Sequence, residues 1–281
     1  MLRTDLAMEA KTLFEQDAAQ TTKLEGVRAT TRGEGETEIT QVEILDERGA
    51  NALGKPVGTY LTLELPRYDR DFHRPAQLLA RELTALLQLR EDDSVLIIGL
   101  GNPAVTPDAL GPQTVSRLFL TRHLIANLPA QFGMCRPVSA VTPGVLATTG
   151  IESLELVRGA VAHVQPRCVI AVDALAAGSM ERLCRTVQLS DSGIVPGSGV
   201  GNSRAGFNRG SLGVPVYALG VPTVADAASL NEAAHEQMIV TPRDIDAQLR
   251  FLSAVLASGL NRALHPTLSD EEFCQFVPFC G

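Results

Sequence analysis

The residues best placed to do chemistry are aspartates that follow apolar runs. Val95 to Leu100 leads into Gly101-Asn-Pro-Ala-Val-Thr-Pro-Asp108, Cys168 to Val172 leads directly into Asp173, and Val214 to Val221 leads into Pro222-Thr-Val-Ala-Asp226. A short apolar run bounded by polar or turn residues reads as a strand buried on both faces, as in a parallel sheet. In open α/β sheets, ligands bind outside the carboxyl ends of such strands. Two acids brought to neighbouring strand ends form a carboxylate pair, and a close pair shares a proton because double ionisation is costly. The ionised member can draw a proton from water while the protonated member polarises a carbonyl. Peptide hydrolysis needs both, so Asp108 and Asp173 are the candidate catalytic residues.

Plainer roles compete. Asp173 lies between two apolar stretches, and a buried carboxylate needs a hydrogen-bond partner, a metal or a raised pKa. Either aspartate could instead cap a following helix. Two carboxylates and a His could hold a divalent ion. However, the five histidines are scattered and no Cys or His pair has ligand spacing, so neither a metal nor another cofactor is expected. Gly99-Leu-Gly-Asn-Pro-Ala104 matches the opening of a dinucleotide fingerprint, but Pro103 and Pro107 obstruct the helix. No Asp or Glu occurs from 109 to 151, where the ribose-binding acid belongs. Asp191-Ser-Gly193 spells the triplet of pepsin-like proteases and reads here as a turn. Ser153 and Ser179 lack the G-x-S-x-G elbow.

The elements that must position the acids follow from periodicity. Ile39 to Leu45 and Tyr60 to Leu65 alternate apolar and polar residues, which predicts an antiparallel hairpin at or near a sheet edge. Residues 30–38 read as an exposed loop. Pro75 opens a helical pattern with Leu78, Leu79, Leu83, Leu86 and Leu87 on one face. Further helices are expected over 112–126, 151–164 and 242–264. Residues 190–211 are rich in Gly and Ser and read as a long functional loop. Strands alternating with helices predict a doubly wound α/β fold.

Composition narrows the function. The chain has 281 residues, no Trp and a net charge of −8, and of its 24 basic residues only Lys11, Lys23 and Lys55 are lysines. That balance argues against direct nucleic-acid binding. No secretory leader or membrane span is read, and the five cysteines, with no CxxC spacing, are expected to be reduced. The expected compartment is the cytoplasm.

Several strings then converge. Gly99-Leu-Gly-Asn102, Val105-Thr-Pro-Asp-Ala-Leu-Gly-Pro112, Thr121-Arg-His-Leu124, Pro143-Gly-Val145, Ala171-Val-Asp-Ala-Leu-Ala-Ala177, Ser190-Asp-Ser-Gly193, Pro196-Gly-Ser-Gly-Val-Gly-Asn202, Gly220-Val-Pro-Thr-Val224 and Met238-Ile-Val-Thr-Pro242 occur in this order. Together they resemble the germination proteases of endospore-forming bacteria, from about residue 3 to 266. The resemblance implies a phosphorylase/hydrogenase-like three-layer α/β fold, with a mostly parallel twisted sheet and an edge hairpin over about 39–65. It implies an atypical aspartic-type endopeptidase that degrades small acid-soluble spore proteins during germination, in the forespore and spore core. It places the proposed catalytic aspartates at Asp108 and Asp173. It also implies a homotetramer and a zymogen that activates itself by cutting after an acidic residue and before a hydrophobic residue followed by Ala. Thr4-Asp5-Leu6-Ala7 fits, so the expected self-cleavage lies between Asp5 and Leu6, dividing a propeptide (1–5) from a single protease domain (6–281). The competing reading of this segment is a simple helix start with Asp near its N-terminus. The alternative activity is a metal-dependent endopeptidase of the hydrogenase-maturation type, a group sharing the implied fold.

Overall fold

Alternation along three central strands decides what each face of the sheet carries. The computed structural model describes residues 4–17, 24–65, 71–200, 204–227 and 238–276. Residues 1–3 of the expected propeptide, Lys23, Asn202, Cys280 and the side chains of Asp226 and Cys274 lie outside the described residues. The strands are β1 (Val27–Glu34), β2 (Thr37–Ile44), β3 (Gly58–Glu64), β4 (Val95–Gly99), β5 (Val138–Val141), β6 (Cys168–Ala177), β7 (Thr186–Ser190), β8 (Val216–Asp226) and β9 (Ile239–Val240). They form one sheet in the order β1-β2-β3-β7-β8-β6-β4-β5, with β9 also on β8.

The α/β class holds, but the expected mostly parallel sheet does not. Among the described residues only β8-β6-β4-β5 pair in parallel, and every other strand pairing is antiparallel. The cause lies in the connections. A parallel crossover needs about a dozen residues or more. β6 and β7 are joined by residues 178–185 alone, so the chain reverses and β7 docks antiparallel on β8. The expected hairpin pairs as β2 with β3, Ile39 opposite Leu63. It is not the outermost pair, because β1 adds beyond it over residues read as a loop. That strand is polar and exposed on both faces, so it lacks the alternation that marks a half-buried strand.

On one face, Leu61 and Leu63 of β3, Val187 and Leu189 of β7, Leu219 and Val221 of β8, and Ile170 and Val172 of β6 enter one apolar core. Helices His73–Leu87 and Ile245–Leu264 cover it with Leu79, Leu83, Leu249, Leu252, Leu256 and Leu260. The opposite face is capped by helices at its two ends and by the N-terminal segment, through Leu6, between them. Over β4 and β6, Leu96, Ile98, Val169 and Ala171 meet Leu154 and Val157 of helix Ser153–Val164 and Phe207. Over β2 and β3, Val42, Ile44 and Tyr60 meet Ala7 of helix Ala7–Asp17. Between these caps the strands present Asp173, Gly220, Ala218, Gln188 and Ser190, since period-two alternation sends these to the face opposite Val172, Leu219, Val187 and Leu189.

The helix expected over 112–126 is two pieces, Leu110–Val115 and Arg122–Asn127. The chain between them turns inward: Phe119 N–H donates to Asn261 Oδ1 (2.9 Å) and Thr121 N–H to the Val138 carbonyl (3.0 Å), ties a continuous helix would forbid. Among the described residues no helix is long and apolar enough to cross a membrane, and Cys135, Cys168 and Cys184 are free and buried.

Candidate active site

Asp108 is placed by a loop that folds back on the end of β4. Gly101 makes this possible: its φ is +112°, and a Cβ there would collide with the Asp108 backbone carbonyl. Asp108 closes a 3-10 turn (Thr106–Asp108), pinned to β8 by the Thr223 hydroxyl donating to the Pro107 carbonyl (2.7 Å). Its Oδ2 accepts from Asn102 N–H at 2.7 Å. Helix Leu110–Val115 starts from Ala109 and receives no side-chain cap, so Asp108 does not serve as one.

Asp173 does not follow β6 but lies inside it. The strand continues to Ala177, and the 3-10 turn that follows, Met180–Arg182, is capped by Ser179 instead. Its carboxyl is 5% exposed and accepts from Ala174 N–H at 2.9 Å. Burial drives its pKa well above the ordinary carboxylate value; the charge of Asp108 pushes the same way, the Ala174 hydrogen bond opposes, and Asp5 adds a smaller push. Asp108 is half-buried, and burial raises its pKa against the opposing bond from Asn102. The aspartates are thus electrostatically coupled, and Asp173, the more deeply buried, is pushed up further than Asp108. Both line a cleft of about 530 Å³ at the carboxyl end of the parallel strands, with Asn102, Thr223 and Asp5. Among the described residues no group of three His, Cys, Asp or Glu side chains is placed to hold a metal ion.

The N-terminal segment reaches this cleft. Beyond Gly99, β4 no longer pairs with β6, and the freed edge of β6 receives Asp5: Asp5 N–H donates to the Ala176 carbonyl (2.9 Å). The Asp5 carboxylate accepts from Ala176 N–H (2.9 Å) and the Ser198 hydroxyl (2.6 Å). Leu6 is fully buried against Leu175, Leu183 and Ala225. Helix Ala7–Asp17 does begin just downstream, but the Asp5 side chain turns to β6 and the 190–200 loop rather than to that helix. The nearby turn is held by Thr4, whose hydroxyl accepts from Leu6 N–H (3.0 Å) and donates to Glu9.

Three residues here were not singled out in the sequence, although Ser198 lies in the Gly- and Ser-rich 190–211 loop read as functional. Gln188 donates from Nε2 to the Asp5 carbonyl (2.9 Å) and accepts at Oε1 from Ala7 N–H (2.8 Å). Ser198 holds the Asp5 carboxylate. Lys55 donates to the Thr4 carbonyl (3.3 Å), in the field of Asp5 and Glu9. Their roles depend on strand register: Gln188 and Asp173 both stand opposite Gly220, on either side of β8.

Comparison with known proteins agrees with the strings read in the sequence. The family profile described as germination protease matches residues 7–239. A germination protease of Caldanaerobacter subterraneus subsp. tengcongensis is 42% identical, with 98% of each chain covered. One from Clostridium tetani is 35% identical, over 98% of this chain and 99% of its own. One from Bacillus cytotoxicus is 44% identical over 82% of this chain and 64% of its own. On this similarity, which spans nearly the whole sequence, the chain belongs to the germination protease family.

Proposed function

We propose that the protein is a self-processing endopeptidase that uses Asp108 and Asp173 as an acid–base pair. The observation that carries this reading is that the two carboxyls line one cleft, one buried and the other half-exposed. Ionised Asp108 takes a proton from water as the water oxygen attacks the peptide carbonyl carbon, while protonated Asp173 gives its proton to the carbonyl oxygen. Asp108 then passes its proton to the departing amide nitrogen, the C–N bond breaks, and Asp173 recovers a proton from the hydroxyl that becomes the new acid carbonyl. Both acids and the water are accounted for, and the pair returns to its starting state.

The proposed cut in the chain itself is Asp5–Leu6, removing residues 1–5 from a zymogen. Asp5 on the freed edge of β6, three residues along from Asp173, supports it. The proposed substrates are small acid-soluble spore proteins, cut after an acidic residue and before a hydrophobic residue and Ala, in the cytoplasm of the forespore and the spore core. The proposed assembly is a homotetramer, and the proposed fold class is the phosphorylase/hydrogenase-like one, with the parallel β8-β6-β4-β5 block as its centre. The test is hydrolysis of a peptide containing Asp-Leu-Ala. Asp108→Asn and Asp173→Asn should each lose about 10²–10⁴ in rate, the usual worth of one acid–base group. Full activity in either variant would remove that residue from the mechanism.

A further inference from the structure

The seat of Asp5 has the makings of a built site. Its carboxylate receives two hydrogen bonds, one from the Ala176 backbone and one from Ser198, and charge-assisted bonds of this kind are among the stronger ones. The seat is also shaped. A Cβ on Gly199 would run into the Asp5 carboxylate and lie 2.7 Å from the Ala176 Cβ, so the bare backbone there leaves room for one carboxyl group. Register is fixed from both sides. Asp5 N–H is bonded to the Ala176 carbonyl, and Gln188 holds the Asp5 carbonyl and the Ala7 amide with its two ends. Lys55 adds the only lysine ammonium found along this segment among the described residues, donating to the Thr4 carbonyl. Beyond the seat, the Leu6 side chain enters an apolar pocket of Leu175, Leu183 and Ala225. Acid, then apolar, is thus the order in which the groove receives a chain.

We propose that Ala176 N–H, the Ser198 hydroxyl and the bare backbone of Gly199 form the subsite that selects an acidic side chain immediately before the cut bond, with Gln188 as the residue that positions the bond, and that peptide substrates seat their acidic residue in it as Asp5 does. This rests on the reading of the cleft as a proteolytic site. A peptide laid along the freed edge of β6 gains backbone hydrogen bonds irrespective of sequence, and the carboxylate seat adds the selection. A site built to hydrogen-bond a polar group rejects analogues that leave its donors unpaired.

The test compares kcat/KM for a peptide with Thr-Asp-Leu-Ala and one with Thr-Asn-Leu-Ala, using the full chain after self-processing. The native enzyme should prefer the Asp peptide. Ser198→Ala should reduce kcat/KM for the Asp peptide by about tenfold to 100-fold, the range expected for one hydrogen bond to a charged group. The Asn peptide, whose side-chain oxygen accepts only a neutral hydrogen bond from Ser198, should lose less, so the preference narrows. Gly199→Ala, which fills the seat, should suppress cutting after Asp more strongly than Ser198→Ala. Because Ser198 is exposed, its truncation leaves the core intact, and an unchanged melting temperature confirms a folded enzyme. An unchanged Asp-to-Asn preference in both variants overturns the proposal while leaving the proteolytic reading intact. A native chain that cuts neither peptide overturns the proteolytic reading itself, and the subsite with it.

Discussion

The two faces of the central sheet are built from the same strands and differ in almost everything else. On one face β6, β8 and β7 give Ile170, Val172, Leu219, Val221, Val187 and Leu189 to a core sealed by two long helices. On the other, the next residues along the same strands are Asp173, Gly220 and Gln188, and the covering elements stop short on either side. A strand buried on both faces can therefore hold a fully buried carboxyl rigidly without help from a helix. The apolar face fixes the backbone, and the backbone aims the acid. The cost of burying Asp173 is offset in part by the Ala174 N–H beside it, and the core behind it keeps the strand in place.

Substitutions on the two faces should therefore act in opposite directions on stability. Ile170→Ala removes a fully buried side chain from the sealed face and should destabilise the fold by about 2–5 kcal/mol, measured by urea denaturation. A loss much below that range would mean that the helices do not seal the face. Asp173→Asn, three residues along the same strand, should stabilise the protein at neutral pH. The folded pKa of Asp173 lies above the unfolded value of roughly 3.9. Below that pH both states hold the proton, and as pH rises through the raised pKa the folded state loses stability relative to the unfolded one. Replacing the acid removes this loss. The melting temperature of Asp173→Asn should exceed that of the native chain at pH 7, by roughly 2–4 °C for each kcal/mol relieved, and the gain should fade towards pH 4. Equal melting temperatures at pH 7 would place Asp173 in a solvated site. Away from both faces, at the polar edge, Arg28→Ala breaks an ion pair with Glu43 (3.2 Å) in which Arg28 is largely exposed, and should cost at most about 1 kcal/mol.

The sealed face was the part most legible in the sequence. Helix stripes at 78–87 and 249–260 and the runs at 95–100 and 168–172 are set by local periodicity, and local periodicity is what a sequence displays directly. The placement of Asp108 and Asp173 on one cleft was legible for the same reason, as acids that interrupt or follow apolar runs. Strand lengths were less so: β6 and β8 run past the residues whose apolarity marks them, which moved Asp173 from the end of a strand to its interior. β1 and β7 went unread because one is polar on both faces and the other is short and lies against a Gly-rich loop. Gln188, Ser198 and Lys55 were invisible for a deeper reason. Each reaches residues 4–7 from a distant part of the chain, and for Gln188 the approach is set by the register of β7 on β8 and of β8 on β6.

The central claim is that this groove cuts the chain that lies in it. Mass spectrometry of the N-terminus after incubation at mildly acidic pH measures this directly, on the native chain and on Asp108→Asn in parallel. The account predicts a native product beginning at Leu6 and an Asp108→Asn chain that stays intact. An intact native N-terminus, or the same Leu6 product from both proteins, would contradict it.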